Sequence, residues 1–114
     1  MDEKEFTGLM NELSKYLKKE KVFIKNPVRF AEFERATEIA EELFKDSNIS
    51  IEDDPIQMGA LILRIEGFDI IVRGEREIEL FTELVSKADN FEIYAIDDGI
   101  RFSILFNDAL IKVQ

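Results

Sequence analysis

The stretch ALILRIEGFDIIVRGE, residues 60–75, decides the fold. Leu61, Leu63 and Ile65 sit at alternate positions, Glu66-Gly67 breaks the run, and alternation resumes at Phe68. A period of two marks a strand with two unlike faces. With Glu66-Gly67 as a two-residue turn, Ile65 faces Phe68, Leu63 faces Ile70 and Leu61 faces Val72, and these six residues form one apolar face. On the other face Arg64 stands opposite Asp69 as an ion pair, and Ile62 stands opposite Ile71. An antiparallel sheet with one wet side should carry polar residues there, so Ile62 and Ile71 raise the question of what covers them.

Outward from that hairpin, residues 75–88 predict a helix after Gly74. Its stripe is Ile78, Phe81, Leu84, Val85 and Ala88, and Glu75, Glu77 and Glu79 place negative charge near its N-terminus. FEIYAIDDGIRFSILF, residues 91–106, is a second hairpin signalled by Asp98-Gly99. Phe91, Ile93 and Ala95 then share a core face with Phe102, Ile104 and Phe106. The opposite face carries Glu92, Tyr94, Ile96, Arg101, Ser103 and Leu105. Residues 109–113 read as a last strand or a tail.

Toward the N-terminus, residues 49–52 form a short strand ended by the turn signal Asp53-Asp54-Pro55. Before it, Asn26-Pro27 opens a helix, because Asn caps well and Pro suits the first helical position. That helix has Phe30, Phe33, Ala36, Ile39, Ala40, Leu43 and Phe44 as its stripe and ends near Asp46-Ser47-Asn48. Residues 20–25 are a linker or a short strand around Val22-Phe23-Ile24. Residues 3–19 form the first helix, striped by Phe6, Leu9, Met10, Leu13, Tyr16 and Leu17. Asp2 with Glu5 gives it a capping-box-like start.

The expected fold is α+β: one domain over residues 1–114, with two N-terminal helices and then an antiparallel sheet of about five strands. The strands and remaining helix follow in β-β-β-α-β-β order, and the helices pack on the sheet. A chain of 114 residues buries enough surface to need no metal or disulfide staple. No cysteine is present, which fits a reducing compartment, and no apolar run approaches a membrane span. The N-terminus MDEKEFTGL lacks the pattern of a secretion signal, so the expected location is cytoplasmic.

Charge narrows the partners. The formal net charge is −10, which disfavours nucleic acid and favours a basic partner. It is unevenly spread. Residues 15–29 hold six basic residues and one acid, while residues 32–54 hold nine acids and two bases. Tyr16 and Phe23 interleave the basic stretch as in single-strand binders, but Tyr16 shares a stripe with Leu9 and Leu13 and so reads as core. The first helix mixes Glu and Lys on its polar face, unlike a membrane-surface helix.

The sequence contains no histidine, which removes the commonest general base and most zinc sites. The five glycines form no phosphate loop. The acidic runs Glu52-Asp53-Asp54 and Asp97-Asp98 read as turn chemistry. No catalytic, metal-binding or cofactor-binding residue is therefore assigned, and no cofactor is expected. The candidate interface is the second face of the hairpins: Ile62, Arg64, Ile71, Tyr94, Ile96, Arg101 and Leu105. Three things could cover it: the chain's own helices or tail, a second copy, or a segment of another protein.

The order of elements over residues 27–106, with the small size and acidity, is similar to the helix-then-twisted-sheet design of type III secretion chaperones. That similarity lies in element order and in no motif. The closing helix of that design is missing after Phe106, and the first helix has no counterpart. The similarity implies a dimer that holds a partner segment in apolar grooves. The expected function is a non-catalytic protein-binding module of chaperone, adaptor or immunity type, acting as a homodimer through the sheet. The alternatives are a small carboxylate-dependent enzyme that binds a metal or ligand, and an acidic nucleic-acid mimic built on the second helix.

Overall fold

The structure is a computed structural model that describes residues 3–56, 58–67, 73–97 and 99–112. Its organising strand is β3, Ala60–Gly67, because both of its edges are occupied. On one side β2 (Asn48–Asp54) pairs antiparallel, with Ile51 opposite Leu63. On the other side β5 (Gly99–Phe106) pairs antiparallel, with Ile62 opposite Leu105. β4 (Asn90–Ile96) adds to the far edge of β5, giving the strand order β2-β3-β5-β4. The other elements are α1 (Glu3–Lys19), β1 (Val22–Ile24), α2 (Pro27–Leu43), α3 (Glu75–Ser86) and β6 (Leu110–Lys112).

Three expectations are corrected. The described strands form a four-stranded sheet and a separate two-stranded ribbon of β1 and β6, in place of one sheet of about five strands. β1 stands between α1 and α2, so the two helices are not consecutive elements. The hairpin about Glu66-Gly67 is not the one that β3 makes. Its edges bond to β2 and β5 along Leu61–Glu66, so Leu61, Leu63 and Ile65 have no edge left for Val72, Ile70 and Phe68. Those three residues, with Asp69 and Ile71, lie outside the described residues, as do Asp2 and Asp98. The physical reason is that Glu-Gly is a weak hairpin turn. By contrast β2 offers Ile49 and Ile51 in register with Ile65 and Leu63.

For β3 and β5 the expected core face is the observed one. One face of the sheet carries Leu61, Leu63, Ile65, Phe102, Ile104 and Phe106, all buried. Phe33 of α2 meets Phe106 edge-on at 5.7 Å between ring centroids, and Phe81 of α3 stacks on Phe102 at the same 5.7 Å. Each such ring pair adds about 0.5–1.5 kcal/mol beyond the burial of its area. Leu13 and Leu17 of α1 and Ile39 and Ala40 of α2 join the same core. α2 starts as its sequence dictates: the Asn26 side chain accepts from the Arg29 N–H at 3.1 Å, and Pro27 follows.

Two devices lock the ribbon to the sheet. Gly59, at φ +61°, accepts at its carbonyl from the Ala109 and Leu110 N–H groups at 2.7 and 2.8 Å. Arg29 donates to the carbonyls of Asn107 and Lys87 and pairs with Asp89, whose carboxylate also accepts from the Asn107 N–H at 2.7 Å. Burial acts to raise the Asp89 carboxyl, but the Asn107 N–H and the Arg29 guanidinium outweigh it and hold the group below its ordinary range.

A Cβ on Gly59 would stand 2.5 Å from the Leu110 carbonyl oxygen, which is backbone and cannot swing aside. Gly59→Ala combines that clash with a positive φ and should cost on the order of 1–3 kcal/mol, read by urea unfolding. A loss below a few tenths would show that the loop does not hold this conformation. The depressed Asp89 carboxyl contributes stability above its unfolded pKa and loses it as pH falls through the folded value. The melting-temperature gap between wild type and Asp89→Asn should therefore be present at pH 7 and close in strong acid.

Candidate functional site

The register assembles the second face of the sheet residue by residue. Ile62 lies between Glu52 and Leu105, Arg64 between Ser50 and Ser103, and Glu66 between Asn48 and Arg101, with Tyr94 beyond Arg101. The Arg64 guanidinium donates to both carboxylate oxygens of Glu52, one at 2.7 Å. Arg101 Nε donates to Glu66 at 2.8 Å, and the same guanidinium lies 5.6 Å from the Tyr94 ring centroid. The ring contacts that α2 and α3 make with the sheet, through Phe33 and Phe81, fall on the opposite face. α1 flanks Ile49, Ile51 and Asp53, which also belong to that opposite face. Ile62 stays partly exposed on this face, flanked in the sheet by Glu52 and Leu105.

Of the expected interface residues, Ile62, Arg64, Tyr94, Arg101 and Leu105 come together. All of these but Arg101 border a depression of about 170 Å³ whose other walls are Asn90, Phe91, Glu92 and Ser103. Ile96 belongs to the same face at the hairpin end, opposite Gly99. Ile71 lies outside the described residues. Arg64 pairs with Glu52, and the ion pair expected between Arg64 and Asp69 lies outside the described residues. Arg64 Nε and Ser103 Oγ, from opposed residues, are shielded from solvent without a hydrogen-bond partner. A buried polar group left unpaired costs about 1–3 kcal/mol, so this face carries donor and acceptor capacity that the described chain does not use.

Sequence reasoning missed two other surfaces. Phe91 and Ile93 have the core parity but remain 47% and 58% exposed, because β4 is an edge strand and α3 covers only part of it. Ile78 of α3 is exposed as well. The larger surface is a groove of about 600 Å³ between α1 and β2. Leu9, Leu13 and Tyr16 form its helical wall, and Ile49, Ile51 and Asp53 its strand wall. The signal for it was in the sequence: Ile49-x-Ile51-x-Asp53 places an acid where the alternation calls for a third apolar residue.

Tyr16 Oη donates to Asp53 Oδ2 at 3.2 Å across one end of the groove. Burial pushes the Asp53 carboxyl above its ordinary range, and Asp54, Glu20 and Glu52 push it the same way against the Tyr16 hydrogen bond. Burial, then the Asp53 charge and hydrogen bond, raise the Tyr16 phenol. This corner of the molecule is strongly electronegative.

The two acidic turns do not form one site. Asp53 and Asp54 pair with Leu61 and Ala60 at one end of β3, whereas Asp97 follows Ile96 at the Gly67 end. Seven residues of strand put them roughly 20 Å apart. Among the described residues no group of three or more Asp or Glu side chains is placed to hold a metal ion. The acids of α2 are partly spent: Glu38 pairs with Arg35 and Glu42 with Arg76. The basic stretch is not one surface either, since Arg29 is engaged with Asp89 and Lys25 with Asp108. No described helix is long and apolar enough to cross a membrane. Comparison with family models, with curated proteins and with solved structures finds no match.

A carboxyl whose folded pKa is raised costs stability at pH values above that pKa, and the cost vanishes once it is protonated. Asp53→Asn should therefore raise the melting temperature at pH 7, since the amide oxygen still accepts from Tyr16. The gain should fade as pH drops toward the ordinary carboxylate range. A lower melting temperature at pH 7 would mean that the charge itself stabilises the groove.

Proposed function

We propose that the protein is a non-catalytic, cytoplasmic protein-binding module of chaperone, adaptor or immunity type. It docks through the uncovered face of its four-stranded sheet, and its occupant there is a second copy. The observation that carries this reading is the apolar pair Ile62 and Leu105 beside Arg64 Nε and Ser103 Oγ, which have no hydrogen-bond partner among the described residues. An apolar centre rimmed by polar groups is the usual anatomy of an interface. A second copy fits best on charge. The chain carries −10 overall, so two copies repel over most of their surface. Here Arg64 neutralises Glu52 and Arg101 neutralises Glu66, so the repulsion is least. A twofold axis through the face would set Ile62 and Leu105 against their own equivalents.

Light scattering on the wild type, Ile62→Glu and Leu105→Glu tests the proposal. The wild type should have the mass of a dimer. Both variants should be monomers with an unchanged circular dichroism spectrum, because the added charges face water in the single chain. A monomeric wild type would overturn it, as would variants that remain dimeric.

A further inference from the structure

We infer that the groove between α1 and β2 binds an extended peptide segment that adds to the free edge of β2 as a fifth strand of the sheet. The segment carries apolar residues at alternate positions and a lysine or arginine at the Asp53 end. This site is separate from the sheet face through which copies pair.

Three observations converge on it. Among the described residues β2 is an edge strand, bonded to β3 on one side, and an edge strand presents a row of backbone donors and acceptors to a further strand. α1 stands off from that edge and leaves a groove of about 600 Å³, within the usual range for ligand sites. The groove walls are apolar where they would meet side chains. Leu9 and Leu13 face Ile49 and Ile51, and Tyr16 is 41% exposed although it belongs to the apolar stripe of α1.

Spacing and charge then specify the occupant. Side chains of an added strand alternate between the two faces of the sheet. Those on the α1 side fall beside Ile49, Ile51 and Asp53 in turn, so two apolar residues and one cation match the wall. The lining includes Glu12, Glu52 and Asp53 and no basic residue. Burial, then the neighbouring acids, raise the Asp53 carboxyl, and a cation beside it would stabilise the charged form. A second copy is a poorer occupant, because its own β2, Asn48–Asp54, carries no lysine or arginine to set beside Asp53.

The test uses a fluorescein-labelled, end-capped heptapeptide, Lys-Thr-Val-Thr-Val-Thr-Lys, titrated with the full chain at low salt and followed by anisotropy. Binding should saturate and should weaken at least about tenfold in each of three changes: Lys to Glu in the peptide, N-methylation of alternate peptide amides, and Asp53→Lys in the protein. Leu9→Glu at the groove rim should weaken it similarly, with circular dichroism showing both protein variants folded. Amides in Asn48–Asp54 should gain protection from exchange, and Ile62→Glu should bind the peptide as the wild type does. The proposal fails if the peptide does not bind, or if binding ignores N-methylation or Asp53→Lys. It also fails if Asp53→Lys converts a dimer into a monomer, since a second copy would then occupy this edge.

Discussion

The structure depends on the double pairing of β3. A strand bonded along both edges cannot choose its neighbours independently of the faces it presents. Once β2 and β5 flank it, Leu61, Leu63 and Ile65 align with Ile49, Ile51, Phe102, Ile104 and Phe106. That alignment makes the floor on which α2 and α3 pack. The same double pairing sets Ile62 between Glu52 and Leu105 and fixes what the second face looks like. It also decides which strands are edges, and so where the sheet can still accept another chain.

Two kinds of surface follow. The second face is built of short-range order: guanidinium–carboxylate pairs across neighbouring strands, a cation over the Tyr94 ring and two aliphatic side chains in contact range of the register. Exposed pairs of this kind contribute little to stability, typically below about 1 kcal/mol, so their weight falls on local charge balance. The groove along β2 is the reverse. Glu52 is taken up by Arg64, but burial, then the charges of neighbouring acids, hold Asp53 above the ordinary carboxylate range. One surface suits contact between like-charged copies, the other a cation from elsewhere.

Local chemistry was legible in the sequence and long-range pairing was not. Asn26-Pro27 marked the start of α2 because capping is decided within four residues. The bounds of α1 followed from its stripe. Parity told correctly which side chains of the 60–67 and 91–106 stretches share a face, since a period of two survives any even shift in register. Parity does not name the partner strand. Ile62 was assigned to Ile71 through the nearest turn, whereas its described neighbours across the sheet are Glu52 and Leu105. The exposure of Phe91 and Ile93 was hidden for the same reason: a core-parity residue is buried only if a helix reaches over its strand. Asp53-Asp54-Pro55 reads as a turn that ends the strand at Glu52, whereas β2 runs on through Asp54 and pairs Asp53 with Leu61.

Residue-resolved amide hydrogen exchange tests the arrangement most directly. A strand paired on both edges has each amide bonded, whereas an edge strand bonds only alternate ones. Every amide from Leu61 to Glu66 should therefore exchange slowly, while protection in Asn48–Asp54 should alternate. Alternating protection in β3 would show that β3 is not paired on both edges and would remove the basis for both surfaces, while uniform protection in β2 would show that its outer edge is already occupied.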